Sequence, residues 1–179
     1  MKINIREEIE ELKRDIISTR RDLHMYPELA FNEHRTAKII SKKLEELGLE
    51  VETGVGKTGV IGTLKGNSSS KTIALRADMD ALPMQETTDV EYKSKNDGIM
   101  HACGHDGHTA ILLGAAEALS NKKHLLNGDI KFLFQPAEEG QGGARYMIQD
   151  GALDNVDEVY GLHLWNYQKY GTIGVKPGP

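Results

Sequence analysis

Apolar residues recur at helical spacing in the first fifty residues of the sequence. They occupy positions 5, 9, 12, 16 and 23, and then positions 37, 40, 44 and 47, directly before Gly48. A period of three to four residues places such side chains on one face of a helix, so the pattern predicts two amphipathic helices. A glycine just after the last periodic residue is a common helix end. The N-terminal region therefore contains two predicted helices that each bury one face.

Short apolar runs alternate with helical segments in the rest of the chain. The runs "GVIGTLKG" and "KTIALRA" flank the polar loop "NSSS" and predict two strands. They are followed by a helix at "HTAILLGAAEALS", a strand at "DIKFLFQ", a helix around "GGARYMIQDG" and a strand at "EVYGLHLW". Strands that alternate with helices are typical of an α/β fold. The sequence predicts a mixed, partly parallel sheet flanked by helices.

Composition and charge exclude several classes of protein. The 179 residues are 39% hydrophobic and 27% charged, which is a balance that lets one globular domain bury a core. The formal net charge is −5 and no basic cluster is present, so we expect no nucleic-acid partner. No stretch resembles a membrane span or the apolar core of a signal peptide. With a single cysteine, which cannot form an internal disulfide, these features predict a cytoplasmic location without a membrane partner.

The stretch "HACGHDGH", residues 101–108, contains three of the seven histidines and the only cysteine. Two glycines among closely spaced histidine and cysteine residues make a poor core sequence. The stretch therefore predicts a metal-binding or catalytic loop. Taken alone, a single cysteine such as Cys103 is more often a small buried hydrophobic residue than a functional one.

Polar residues that can bind metal lie late in or just after several predicted strands, and two more lie in the loop before the third helix. In open α/β sheets ligands bind at the carboxyl ends of the strands, so we expect one site to collect these residues. They are Asp78, Asp80, Cys103, His105, Glu138, Glu139 and His163.

Thiolate, imidazole and carboxylate groups form a donor set that suits zinc and its transition-metal neighbours better than magnesium or calcium. Cys103 lies just ahead of a predicted helix, whose positive end is expected to lower the pKa of a thiol. The adjacent Glu138 and Glu139 allow one carboxylate to coordinate metal while the other accepts a proton. A metal-dependent hydrolase is one interpretation of this pattern.

Other interpretations remain open at the level of the residues. His163 within an apolar strand is also typical of a structural histidine, and Glu138 with Glu139 favours a helix N-terminus. A different enzyme class would use Cys103 as a nucleophile, with His105 or His108 as its base, and would form an acyl-enzyme. A third interpretation is a domain that binds metal or a partner without turnover.

Five stretches occur in an order that resembles the metal-dependent amidohydrolases that include aminoacylase, hippurate hydrolase, the auxin-conjugate hydrolases and carboxypeptidase G. The resemblance implies hydrolysis of the amide bond of N-acyl amino acids or small peptides. It also implies two divalent transition-metal ions per complete active site, with zinc or manganese favoured over nickel or cobalt. The five stretches are "RRDLHMYPELAFNE", "LRADMDALPMQE", "MHACGHDGHTAILLGAA", "FLFQPAEEGQGGARYMI" and "GLHLWN".

The resemblance also implies a role for each matching residue. Glu138 matches the general base, and Asp78 matches an acid that supports the metal centre from nearby. The residues that match metal ligands are Cys103, His105, Glu139 and His163.

Members of this family are much longer than 179 residues, because a lid domain is inserted into the catalytic domain and a final segment returns to complete it. The resemblance implies that residues 1–179 are the N-terminal portion of the catalytic domain. The lid, the last metal-binding histidine and any contact between subunits through the lid would lie outside it. We therefore expect the 179-residue chain alone to be inactive. The preferred acyl group and amino acid, the physiological metal and the oligomeric state do not follow from the sequence.

Overall fold

The computed structural model describes residues 6–68 and 71–175, with side chains from residue 9 onward. Within these residues the chain forms five strands, four α-helices and a short 3₁₀ helix. The α-helices are α1 (Arg6–Met25), α2 (His34–Glu46), α3 (His105–Ser120) and α4 (Gly143–Gln149), and the 3₁₀ helix is Lys123–Leu125. The strands are β1 (Glu50–Val55), β2 (Gly59–Leu64), β3 (Thr72–Asp78), β4 (Asp129–Gln135) and β5 (Glu158–Gly161).

The strands form one sheet in the order β1-β2-β4-β3-β5. β1 pairs with β2 and β2 pairs with β4 in antiparallel fashion, whereas β3 pairs with both β4 and β5 in parallel fashion. This arrangement confirms the predicted mixed, partly parallel sheet. Because Asp78 pairs with Gln135, β3 and β4 end at the same edge of the sheet.

Both faces of the sheet are covered, and the alternation of side chains along β4 shows how. Phe132 and Phe134 are fully buried against α2 and α3, where they contact a cluster that includes Leu44 and Leu113. Leu133 points to the opposite face and packs in a smaller cluster with α4. Burial on both faces explains why β4 reads as a nearly continuous apolar run.

Three local predictions differ from the structure. β1 was not predicted, because this edge strand has exposed residues at most positions and only Val55 is buried. α3 begins at His105, so His105 belongs to the first turn of the helix and not to the preceding loop. β5 ends at Gly161, and His163 therefore lies after the strand and not within it.

Within the described residues β5 is an outer strand of the sheet and pairs only with β3, and each of its residues is exposed. Exposed apolar side chains occur along β5 and in the residues that follow it. They are Val159, Tyr160, Leu162, Leu164 and Trp165, each about half exposed or more. Among the helices of the described residues, none combines the length and apolar character needed to cross a bilayer.

Candidate metal centre

The predicted site residues meet at the edge of the sheet where β3 and β4 end. Asp78 is the last residue of β3, and Glu138 and Glu139 lie in the loop that follows β4. His105 opens α3, so the positive end of this helix faces the same edge. The topology explains the convergence, because parallel strands and the helix that follows β3 place their functional ends together.

His105 is completely buried, and its hydrogen bonds define which ring nitrogen is available. Its Nδ1 atom lies 2.9 Å from the carbonyl oxygen of Asp80 and 3.2 Å from the Oδ1 atom of the same residue. A carbonyl oxygen only accepts hydrogen bonds, so Nδ1 must carry the proton. The Nε2 atom then presents a lone pair, and it has no hydrogen-bond partner among the described residues.

Three carboxylates surround this Nε2 atom. It lies 3.5 Å from Asp78 Oδ1, 3.8 Å from Glu138 Oε2 and 3.8 Å from Glu139 Oε1. Burial alone lowers the pKa of His105, but the hydrogen bond with Asp80 and the surrounding negative charges raise it above its ordinary value. A buried nitrogen lone pair that faces several carboxylates is a suitable position for a cation.

Cys103 and His163 complete a second side of the site. The Cys103 Sγ atom lies 3.4 Å from His163 Nε2, and ligand atoms of Cys103, His105 and His163 all lie within 4.8 Å of one another. His105 also forms such a group with Glu138 and Glu139. His105 is therefore shared between a thiol and imidazole group on one side and a carboxylate pair on the other.

The pKa of the Cys103 thiol differs from the sequence-based expectation. Burial, a hydrogen bond with Glu139 and the charges of Glu139, Glu138 and Asp78 raise it to about 12. The expectation that the helix end would lower this pKa is not met in the metal-free chain, because burial and the nearby carboxylates outweigh the helix dipole. A nearby cation is needed to turn this thiol into a thiolate at neutral pH.

Asp78 and His108 form a hydrogen-bonded pair next to His105. The Asp78 carboxylate lies 2.5 Å from His108 Nδ1 and 2.5 Å from an Arg76 guanidinium nitrogen. Burial alone raises the pKa of Asp78, yet the hydrogen bond from His108 and the charges of His105 and Arg76 lower it to about 2. The other His108 nitrogen accepts the backbone N–H of Leu164 at 2.9 Å. Both nitrogens of His108 are therefore engaged in hydrogen bonds.

Asp80 is a functional candidate whose specific role could not be predicted from the sequence. Besides its contacts with His105, its Oδ2 atom accepts the backbone N–H of Glu139 at 3.0 Å. Asp80 therefore links the histidine to the carboxylate loop. Its position two residues beyond the end of β3 was the available signal, but only the fold shows which residues it contacts.

A second buried polar cluster connects α1 to the start of α3. His24 lies 2.8 Å from Asp106 and 3.2 Å from Glu86, and Arg20 contacts the same Asp106 oxygen at 2.7 Å. His101 lies beside them, and burial lowers its pKa to about 4. His24 thus links α1 to Asp106 in the first turn of the helix that carries His105.

Comparison with known proteins identifies the family. Residues 74–178 match the sequence model of peptidase family M20/M25/M40, and this match covers more than half of the chain. The chain belongs to this peptidase family. The predicted resemblance to metal-dependent amidohydrolases is thereby confirmed. The chain also matches proteins named as amidohydrolases and carboxypeptidases.

Individual members of the family match this chain along nearly its whole length. It is 48% identical to thermostable carboxypeptidase 2 of Saccharolobus solfataricus, over 98% of this chain and 45% of that protein. It is 47% identical to the N-acyl-L-amino acid amidohydrolase of Geobacillus stearothermophilus, over 99% of this chain and 48% of that protein. The crystal structure of the Bacillus subtilis YXEP protein, a dinuclear metal binding peptidase from the M20 family, superposes with a TM-score of 0.90 at 46% identity. That alignment covers 95% of this chain and 48% of the YXEP chain. The chain thus spans about half the length of the relatives it matches.

Proposed function

We propose that this chain is part of a metal-dependent hydrolase that cleaves the amide bond of N-acyl amino acids or small peptides. The observation that carries the proposal is the buried Nε2 atom of His105, which lacks a hydrogen-bond partner among the described residues and faces Asp78, Glu138 and Glu139. The names of the amidohydrolase and carboxypeptidase relatives support the substrate class. We place residues 1–179 in the N-terminal portion of the catalytic domain, with a cytoplasmic location.

The donor atoms at this edge fit a divalent transition metal. Cys103, His105 and His163 offer a sulfur and two imidazole nitrogens to one ion, and Glu139 offers carboxylate oxygens to a second ion. This set suits zinc or manganese, and the relative that binds two metal ions supports two ions per complete site. When bound, such ions polarise the scissile carbonyl and lower the pKa of a nearby water molecule.

Glu138 is the residue that we assign as general base. Its side chain is 42% exposed, compared with 26% for Glu139, so water reaches Glu138 more readily. Its Oε2 atom nevertheless lies only 3.8 Å from His105 Nε2, which places it beside the proposed ligands. Glu138 removes a proton from the attacking water and then delivers a proton to the leaving amine.

Asp80 and Asp78 support this chemistry without being the proton acceptor. Asp80 holds the Nδ1 proton of His105 and thereby orients Nε2 toward the carboxylates. Asp78 stays ionised, because its pKa is about 2, and it adds negative charge next to the same nitrogen. Both carboxylates favour occupancy of the site by a cation.

The thiol-nucleophile alternative is less well supported. Neither His105 nor His108 forms a hydrogen bond with the Cys103 sulfur among the described residues, and His108 is engaged at both nitrogens. A thiol with a pKa of about 12 is also poorly activated for attack. A metal-binding domain without turnover remains the second candidate function, since the chain covers only half of its relatives.

A chelation assay on the protein that contains this chain tests the proposal. The protein is incubated with a panel of N-acyl amino acids before and after metal removal, and zinc or manganese is then added back. We expect hydrolysis to disappear on chelation and to return with metal. Hydrolysis that survives complete metal removal would support the thiol route, and metal binding without any turnover would support the binding domain.

A further inference from the structure

Glu33 is a completely buried carboxylate that the proposed chemistry does not use. One oxygen accepts the hydroxyl hydrogen bond of Thr58 at 2.5 Å, and the other accepts the backbone N–H of Ala137 at 2.9 Å. Thr58 lies in the turn between β1 and β2, whereas Ala137 lies in the loop after β4. The Glu33 side chain therefore connects three segments that are distant in the sequence: its own segment before α2, the β1–β2 turn and the loop after β4.

These three segments contain most of the unusual backbone conformations of the described residues. Four non-glycine residues of the described chain have a positive φ, and three of them lie beside Glu33 or its partners. Phe31 (φ 60°) precedes Glu33 by two positions, Lys57 (φ 83°) is adjacent to Thr58, and Ala137 (φ 50°) is itself a partner. Left-handed backbone at a residue with a Cβ atom costs free energy, which the surrounding contacts must offset. Glu33 provides such contacts at two of these three places: it accepts hydrogen bonds from Thr58, next to Lys57, and from Ala137.

Ala137 directly precedes the two carboxylates of the candidate site. Its carbonyl oxygen accepts the N–H of Gly143 at 3.0 Å, which closes the loop that contains Glu138 and Glu139. The closure is tight, since a Cβ atom at Gly143 would lie 1.7 Å from the carbonyl oxygen of Pro136. The direction in which the two carboxylates leave this loop therefore depends on the backbone at Ala137.

We propose that Glu33 is a positioning residue that holds the left-handed backbone at Ala137 and thereby directs Glu138 and Glu139 toward His105. This inference rests on the proposed function for the role of the two carboxylates. Glu33 acts through the backbone of Ala137, and it belongs to none of the groups of potential metal ligands found among the described residues. The contact between Glu33 and Ala137 itself can be tested without metal.

Cobalt binding and amide hydrogen exchange together test the inference on the 179-residue chain. In Glu33→Ala, we expect the affinity for Co²⁺ to fall about tenfold or more, as for other residues that orient ligands. Exchange of the Ala137 amide should accelerate in the metal-free variant, because its acceptor is lost. Glu33→Gln keeps an oxygen for this amide, so we expect Co²⁺ affinity within about threefold of the original chain. Thr58→Val removes only one of the two contacts and should give an intermediate loss.

Glu28→Ala is the matched control. Glu28 also accepts backbone N–H groups near Glu33, but from Arg35 and Thr36 in the first turn of α2. We expect this variant to lower the melting temperature and to leave Co²⁺ affinity and Ala137 exchange unchanged.

Equal loss of Co²⁺ affinity in Glu28→Ala and Glu33→Ala would overturn the inference, as would unchanged Ala137 exchange in Glu33→Ala. Failure of the original chain to bind Co²⁺, together with the expected change in Ala137 exchange, would overturn the proposed function and retain the link between Glu33 and Ala137. If Glu33→Ala does not fold, Thr58→Val takes its place, because it weakens the hold on the Glu33 carboxylate and keeps the acceptor of the Ala137 amide. Co²⁺ affinity in Thr58→Val equal to that of the original chain would then overturn the inference.

Discussion

The Nδ1 atom of His105 lies 2.9 Å from the backbone carbonyl oxygen of Asp80. This contact fixes the proton on Nδ1 and turns the lone pair of Nε2 toward Asp78, Glu138 and Glu139. A histidine held in this way by a second group is the usual arrangement for a metal ligand in proteins. The relationship connects the end of β3 with the first turn of α3, and the remaining site residues are arranged around it.

The first prediction concerns the side chain of Asp80. Asp80→Ala retains the backbone carbonyl but removes the carboxylate contacts to His105 and to the N–H of Glu139. We expect the affinity for Co²⁺ to fall by about 10- to 100-fold, measured by titration of the 179-residue chain.

Asp157→Ala provides the control for this substitution. Asp157 accepts the backbone N–H of Thr72 at the opposite end of β3, far along the strand from Asp78. We expect this variant to bind Co²⁺ like the original chain. A loss of the same size in both variants would show that the effect comes from the stability of β3 and not from His105.

The second prediction separates the two adjacent carboxylates. In the complete enzyme, Glu138→Gln should retain its metal and lower turnover by about 100-fold or more, because only the proton acceptor is lost. Glu139→Gln should lose metal, which elemental analysis of the desalted protein measures. Equal loss of metal in the two variants would contradict the assigned division of roles.

The third prediction concerns the reactivity of Cys103. Because its pKa is raised to about 12, very little thiolate is present at pH 8 in the metal-free chain. We expect alkylation by iodoacetamide to be at least about thirtyfold slower than in the chain unfolded in urea, even after allowing for the higher nucleophilicity of a more basic thiolate. Equal rates in the folded and unfolded chain would refute the raised pKa.

Several features of the fold and site could be predicted from the sequence, because they depend on local patterns. The apolar run of β4 and the amphipathic pattern of α2 are visible in the residues themselves, and so is the position of Asp78 at a strand end. The edge strand β1 was missed because only one of its residues is buried. Its pairing with β2 depends on the rest of the sheet.

Other features depend on contacts between residues that are distant in the sequence. His108 could serve as a base from its sequence position, but Asp78 and the N–H of Leu164 engage both of its nitrogens. The raised pKa of Cys103 arises from its burial and from the carboxylates of Glu139, Glu138 and Asp78, which are distant in the sequence, so no local pattern reveals it. Glu33 likewise reaches Ala137 only in the folded chain.

The fourth prediction concerns acid sensitivity. Burial lowers the pKa of His101 to about 4, whereas an unfolded chain has the ordinary value near 6.5. The unfolded state therefore binds more protons between these values, and the free energy of unfolding falls as the pH decreases from about 6.5 to about 4. At pH 5 this histidine should cost the folded chain about 2 kcal/mol relative to pH 7.

Urea unfolding of the metal-free chain at both pH values checks this prediction, with His101→Leu as the comparison. Titratable groups that lie far from His101 contribute equally to both proteins and cancel in the difference. We expect His101→Leu to lose less stability than the original chain between pH 7 and pH 5. An identical loss in the two proteins would show that His101 takes up a proton freely in the folded state.

A Co²⁺ titration of the 179-residue chain, followed by the absorption of a sulfur-to-cobalt charge-transfer band, tests the central claim most directly. The account predicts that this band appears as Co²⁺ binds, because Cys103 lies with His105 and His163 in one group of ligands. Cys103→Ser should lack the band and bind Co²⁺ more weakly. Tight Co²⁺ binding without the band in the original chain, or unchanged affinity in Cys103→Ser, would contradict the assignment of Cys103, His105, Glu139 and His163 as the metal centre.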